Sequence, residues 1–225
     1  MSGVYFSGKK LLDIASRSDK IIVKDIDIVG TKNITKAEIK ELLPFKIGDN
    51  LLKINLSEAE EEIKKLKPEL KKIVIKRRWQ KVKVRLYERT PEAFVVCNSE
   101  KEGIDFDNRP FPLRGFMSAM KVPKIIYQSD GERWKILNFI KRFKRICGEF
   151  LDNISEIKFS STGDLIFVMN SNTVIFWGDE IPERLSPKFK KFQKIYVDAM
   201  AKYKQIEYID MTLYCSGKAT VKPYK

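Results

Sequence analysis

The stretch Val84-Arg85-Leu86-Tyr87-Glu88-Arg89-Thr90-Pro91-Glu92-Ala93 divides the chain. With Lys81-Val82-Lys83 before it, apolar and basic residues alternate, the pattern of a half-buried strand whose charges form its wet face. Pro91 ends that strand, because proline has no N–H to give to a ladder. The chain therefore reads as a lead-in over residues 1–20, one domain over 21–90 and a second over 91–225.

Working back from Pro91, Leu70–Ile75 and Val82–Leu86 alternate around a basic middle, Lys76-Arg77-Arg78-Trp79-Gln80-Lys81, and read as a hairpin. Ser57-Glu58-Ala59-Glu60 is a predicted capping box for a helix whose Ala59, Ile63 and Leu66 share a face until Lys67-Pro68. Thr35-Lys36-Ala37-Glu38 is a second such box, followed by Ile39, Leu42 and Leu43 and stopped by Pro44. Gly48-Asp49-Asn50 reads as a turn, and a strand from Ile21 to Val29 ends at Gly30. The order β-α-α-β-β implies a small sheet with two helices on one side.

Working forward, Gly103 to Gly115 is turn-rich. A helix is predicted from about Asp130 to Cys147, with Trp134, Leu137, Ile140 and Phe143 or Phe139 facing inward. Ile154–Phe159, Leu165–Met169 and Thr173–Trp177 read as a meander of strands. Ser186-Pro187 is predicted to open the last helix, with Ser as N-cap and Pro at the first helical position. Its stripe of Phe189, Phe192, Tyr196, Ala199, Met200 and Tyr203 is core, and a final strand runs from Tyr208 to Val221. The whole is α+β, the second half being mostly antiparallel strands with two helices.

Composition narrows the function. The 225 residues carry 44 Lys+Arg against 30 Asp+Glu, a formal charge of +14, and contain no histidine. Without imidazole there is no Ser-His-Asp or Cys-His pair and no His-based zinc site, which points away from an enzyme. Cys97, Cys147 and Cys215 lack any C-x-x-C spacing and read as buried small hydrophobes. No cofactor is implied. No run approaches the ~18 apolar residues of a membrane span, and no secretory signal opens the chain, so composition alone reads as cytoplasmic.

Three motifs invite sharper readings. Gly3 to Lys9 fits a phosphate-loop frame, but Lys10 stands where Ser or Thr would hold magnesium. Asp105-Phe106-Asp107-Asn108 offers two carboxylates to a metal and reads better as a turn. Arg77-Arg78-Trp79 has the make-up of a base-stacking site and reads better as an exposed sheet edge.

Several strings, in order, carry a family resemblance: Ile26-Asp27-Ile28-Val29-Gly30, Gly48-Asp49-Asn50-Leu51-Leu52-Lys53-Ile54, Ile73 to Trp79, the Glu88-Arg89-Thr90-Pro91-Glu92-Ala93 junction, Ile104-Asp105-Phe106-Asp107, Val174 to Gly178 and Tyr208-Ile209-Asp210-Met211. The first half resembles a POTRA domain, and residues 21–223 resemble the extracytoplasmic part of the FtsQ/DivIB cell-division family. The resemblance implies a non-enzymatic divisome scaffold at the septum that links early and late septation proteins. It implies an N-terminal membrane anchor, absent here as if the chain began just beyond it, and a location on the periplasmic face of the inner membrane.

The implied partners are FtsB/DivIC-like and FtsL-like division proteins and other divisome members. The implied contact is a partner strand added to the last strand of the β domain, corresponding here to Thr212, Leu213, Tyr214, Cys215, Ser216, Gly217, Lys218, Ala219, Thr220 and Val221. Thr212 stands where the family usually has Arg. The competing readings are a POTRA-containing polypeptide-transport or assembly chaperone and a basic nucleic-acid-binding protein. An outer-membrane barrel needs more strands than residues 92–225 supply, and the basic residues are spread rather than clustered, so no nucleic-acid partner is expected.

Overall fold

The computed structural model describes residues 22–97, 100–179 and 181–224, with Cys97 described by its backbone only. The lead-in segment and the Gly3–Lys10 frame lie outside these residues. The chain divides into two compact units, one ending at Arg89 and taking in Arg114–Phe116, the other formed by Thr90–Leu113 and the chain from Met117 onward.

The first unit is β1 (Asp25–Val29), α1 (Lys36–Leu42), α2 (Leu56–Leu66), β2 (Leu70–Arg78) and β3 (Lys81–Glu88). The strand order is β1-β3-β2, with β1 parallel and β2 antiparallel to β3. Ile28, Ile73, Ile75, Val82, Val84 and Leu86 bury one sheet face in a core shared with Ile39, Ala59 and Ile63 of the helices. The strands of the hairpin run further into the basic middle than their alternation suggested, leaving only Trp79-Gln80 as the turn. Gly30 has φ +86°, and a Cβ there would lie 2.3 Å from the Leu86 carbonyl oxygen, so only glycine fits.

Thr35 forms the expected capping box with Glu38. The box predicted at Ser57–Glu60 does not form. Asn55, not Ser57, caps α2 by accepting from the Glu58 N–H, and Glu60 instead accepts the Ile75 N–H on β2 at 2.6 Å. An asparagine two residues upstream is an equally good cap, and it frees Glu60 for the sheet.

The junction motif has a structural use. The Glu88 carboxylate accepts from the backbone N–H of Lys32 (2.6 Å), Asn33 (3.0 Å) and Ile34 (3.2 Å) and from Asn33 Nδ2 (2.8 Å). Arg89 is buried, its Nε donating to the Pro68 carbonyl at 3.1 Å.

The second unit holds β4 (Ala93–Cys97), β5 (Glu100–Ile104), β6 (Pro110–Pro112), β7 (Lys124–Ile126), α3 (Asp130–Leu151), β8 (Ile154–Phe159), β9 (Leu165–Met169), β10 (Val174–Gly178), α4 (Pro182–Lys202), β11 (Ile206–Asp210) and β12 (Thr220–Pro223). They form one nine-stranded sheet in the order β12-β11-β10-β9-β8-β7-β4-β5-β6. Five of its eight pairings are antiparallel; β4–β7, β7–β8 and β10–β11 are parallel. Its core is aromatic: the Phe143 ring lies 5.1 Å from Phe139 and Phe189, 6.1 Å from Phe150 and Trp177, and 6.4 Å from Phe167.

The helices differ from their sequence pattern in four respects. α3 continues past Cys147, whose φ −157° and ψ 58° next to Gly148 kink it and turn Phe150 and Leu151 onto the core. Trp134 is 47% exposed, because the buried stripe is centred on Ile136, Ile140 and Phe143 and leaves it roughly 150° round the helix. α4 begins at Pro182, not at Pro187, which lies inside it. Ile181 before Pro182 is extended, so the first helical turn starts on that proline. Met200 in the α4 stripe is exposed, while Phe189, Phe192 and Ala199 are buried.

Two outcomes follow from this packing. Glu88→Ala strips charge-assisted partners from three backbone amides and should destabilise the first unit by about 2–3 kcal/mol, read from its urea midpoint. Burial raises the Glu88 pKa, but the amides of Lys32, Asn33 and Ile34 outweigh it and hold it below the ordinary carboxylate value of 4.5. Its stabilisation is therefore complete above the unfolded value and lost as pH falls through the lowered one, and the variant's stability should fall less steeply on acidification. Phe143→Ala empties the aromatic centre of the second unit and should cost about 3–5 kcal/mol, measured as the shift of its thermal transition.

Candidate functional site: the outer edge of the large sheet

The predicted final strand is two strands joined by a turn. β11 ends where Asp210 Oδ1 accepts from the N–H (2.8 Å) and Oγ1 (2.7 Å) of Thr212, a local bond that pulls the chain out of extended conformation. Tyr214, Cys215 and Ser216 form a 3₁₀ turn, which Gly217 ends at φ +73°. Of the ten residues from Thr212 to Val221, only Thr220 and Val221 lie in β12, and the strand runs on through Lys222 and Pro223.

That turn is held by cations of α4. The Tyr214 ring lies under Lys188 Nζ (5.8 Å) and Lys191 Nζ (5.7 Å). Lys191 also donates to the Gly217 carbonyl at 3.1 Å, and Arg184 Nη1 donates to Cys215 Sγ at 2.9 Å. Lys188 is 1% exposed, and its ammonium is held by Asp179 Oδ1 at 3.0 Å and by the face of Trp177 at 5.1 Å. Cys215 is thus an exposed cysteine on a turn, not a buried hydrophobe. Leu213 and Lys218 are exposed, and Ala219 and Val221 pack against the core.

β12 pairs antiparallel with β11, Thr220 opposite Asp210, Val221 opposite Ile209 and Lys222 opposite Tyr208. No other described strand pairs with it. Tyr224 N–H donates to the Gln205 carbonyl at 3.2 Å. Backbone groups along an antiparallel strand turn alternately toward and away from the neighbour, so Thr220 and Lys222 face β11, and Val221 and Pro223 face outward. The outward edge offers the N–H and C=O of Val221 and the C=O of Pro223. Lys222 Nζ pairs with Glu207 at 2.9 Å, which raises its pKa, and lies 5.6 Å from the Tyr208 ring.

The opposite edge is different. β6 is Pro110-Phe111-Pro112, paired with Ile104, Gly103 and Glu102 of β5. Neither proline can donate, so the ladder runs through Phe111, and the outward-turned positions of β6 present no N–H.

The motifs singled out for metal or nucleophile chemistry do not form a reaction centre among the described residues. Asp105 makes a turn, its Oδ1 accepting the Asp107 N–H at 3.0 Å and its carbonyl the Asn108 N–H at 2.9 Å. Among the described residues no group of three or more His, Cys, Asp or Glu is placed to hold a metal. A cleft of about 780 Å³ opens where α3 kinks, between Cys147 and Phe189. Burial pushes the Cys147 thiol up to about 12, and its Sγ donates to the Phe143 carbonyl at 3.4 Å, so it is a poor nucleophile. No helix among the described residues is long and apolar enough to cross a membrane.

The turn contacts of α4 are not readable locally, because Lys188, Lys191 and Arg184 lie more than twenty residues from Tyr214–Gly217. The extension of β12 to Pro223 had a signal in the alternation of Val221-Lys222.

Comparison with known proteins agrees with this architecture. The POTRA domain of FtsQ type matches residues 22–89, and the C-terminal region of cell division protein FtsQ/DivIB matches residues 101–212. A cell division protein FtsQ of Geobacter sp. (strain M21) is 23% identical over 226 residues, covering 93% of this chain and 80% of that protein. Both halves of the family's architecture are present in the family's order, and the chain belongs to the FtsQ/DivIB family of cell-division proteins.

Proposed function

We propose that the protein is a non-enzymatic scaffold of the division machinery that takes up a strand from a partner along the outer edge of β12. The observation that carries this reading is the asymmetry of the nine-stranded sheet: β6 presents no outward donor, whereas β12 presents Val221. An added strand would gain backbone hydrogen bonds for affinity, with side-chain contacts at alternate positions for selectivity. Thr220, Val221, Lys222 and Pro223 would supply the strand edge. The residues from Thr212 to Ala219 would act beside it, as the surface flanking the added strand.

The partner is an FtsB/DivIC-like protein in complex with an FtsL-like one, met on the extracytoplasmic side of the cell membrane at the septum. The resemblance to the family supports that choice, and the free edge supplies the mode of contact. In this reading the POTRA domain over residues 21–90 and the β domain over 91–225 are separate modules, the second being the one that docks. Thr212 is committed to Asp210, so selectivity at this edge falls to the exposed Leu213, Lys218 and Thr220.

Val221→Pro tests the mode of binding. It removes an outward N–H without removing an inward ladder bond, and Thr220 before it is already extended. Binding of the partner's extracytoplasmic region, measured by calorimetry, should weaken roughly tenfold or more, since one lost backbone bond and a blocked neighbour cost about 1–2 kcal/mol. An unchanged affinity would remove β12 as the docking edge.

A further inference from the structure

One end of the first unit gathers three separate segments into one surface. Lys24 N–H donates to the Gln80 carbonyl (2.7 Å), Val23 N–H to the Asp49 carbonyl (2.8 Å) and Gly48 N–H to the Val23 carbonyl (2.8 Å). Ile22 forms a bridge with Asn50, and the Arg77 guanidinium donates to the Ile54 carbonyl. The β2–β3 turn, the entry to β1 and the loop over residues 46–54 are thereby stitched together.

On this surface three large apolar side chains stand in solvent: Trp79 at 84% exposure, Ile47 at 53% and Leu52 at 46%. Around them Lys24, Lys46, Lys53 and Arg78 are exposed cations. Of the acidic groups at this end, Asp25 is taken up by Lys81 at 3.0 Å, Asp49 accepts the Lys46 N–H at 2.8 Å, and Glu58 and Glu62 lie on the α2 side, lining one cleft with Asp49 and Lys53 and away from the Trp79 turn. The end is apolar at its tip, with cations in excess around it and its carboxylates on the α2 side.

That combination has a specific complement. An indole prefers the headgroup level of a bilayer, where its ring is half in hydrocarbon and its N–H stays wet. Aliphatic side chains beside it add buried apolar area, and Lys and Arg at the same level meet lipid phosphates. A single-stranded nucleic acid would instead need successive aromatic platforms along a basic groove, and Trp79 is here accompanied by aliphatic residues. We propose that this end of the first unit docks on anionic phospholipid bilayers, with Trp79, Ile47 and Leu52 entering the headgroup region.

Trp79 has φ +48°, a conformation that asparagine adopts more readily than tryptophan. Trp79→Asn therefore removes the ring while suiting the turn, and loss of binding in that variant cannot be laid to unfolding if its thermal midpoint is at or above the parent's. The experiment is flotation of the full chain with phosphatidylcholine vesicles, with and without phosphatidylglycerol. Binding should require the anionic lipid, fall as salt is raised, and drop roughly fivefold or more in Trp79→Asn.

Failure of the parent chain to float, or equal flotation of the variant, would overturn the proposal. So would binding of a single-stranded oligonucleotide that Trp79→Asn abolishes while vesicles remain unbound. The β12 reading is tested apart from this one, because Val221→Pro should float as the parent does.

Discussion

A sheet covered by helices on one face still has two edges, and every N–H left on an edge must find a partner, meet water or be absent. This chain treats its edges unequally. In the small sheet the edge strand β2 gives its Ile75 N–H to Glu60 of the adjoining helix. In the large sheet β6 is Pro110-Phe111-Pro112 and presents no outward donor. β12 has neither device along Val221, and the docking function proposed for the protein rests on that difference.

The open edge is tied to the centre of its unit by a short physical chain. Trp177 at the end of β10 packs 6.1 Å from Phe143 in the aromatic core. Lys188 lies over the Trp177 ring and reaches toward Tyr214, and Lys191 bonds the Gly217 carbonyl that precedes β12. A lysine buried to this degree carries a large desolvation cost, which only an ion pair and aromatic faces offset. Asp179 and the two rings supply them, so the turn that feeds β12 is positioned by the same packing that forms the core.

The parts legible in the sequence were those decided within a few residues. Thr35 and Glu38 meet across one turn, the β2–β3 hairpin closes on itself, and β9 and β10 are short apolar runs separated by a polar turn. The junction motif was readable as a strand end. Its purpose was not, because Glu88 serves amides more than fifty residues away. Ser57 and Ser186 looked like caps, but Asn55 and Pro182 lay close upstream and took the helix starts. The sequence predicts one continuous strand from Tyr208 to Val221, but Asp210 and Gly217 impose a turn over Thr212–Ala219 that apolar alternation does not register. The C-terminal segment is legible in the sequence as a candidate edge, but its division into a turn and a short strand is not, since the supports of that turn come from α4.

The most direct test of the open edge is residue-resolved amide hydrogen exchange along β12. In the free protein the Thr220 and Lys222 amides should be protected by their bonds to β11 and the Val221 amide should exchange fast. With the proposed FtsB/DivIC-like partner bound, Val221 should become protected as well. A Val221 amide already protected in the free protein, or still unprotected in the complex, would contradict strand addition at this edge.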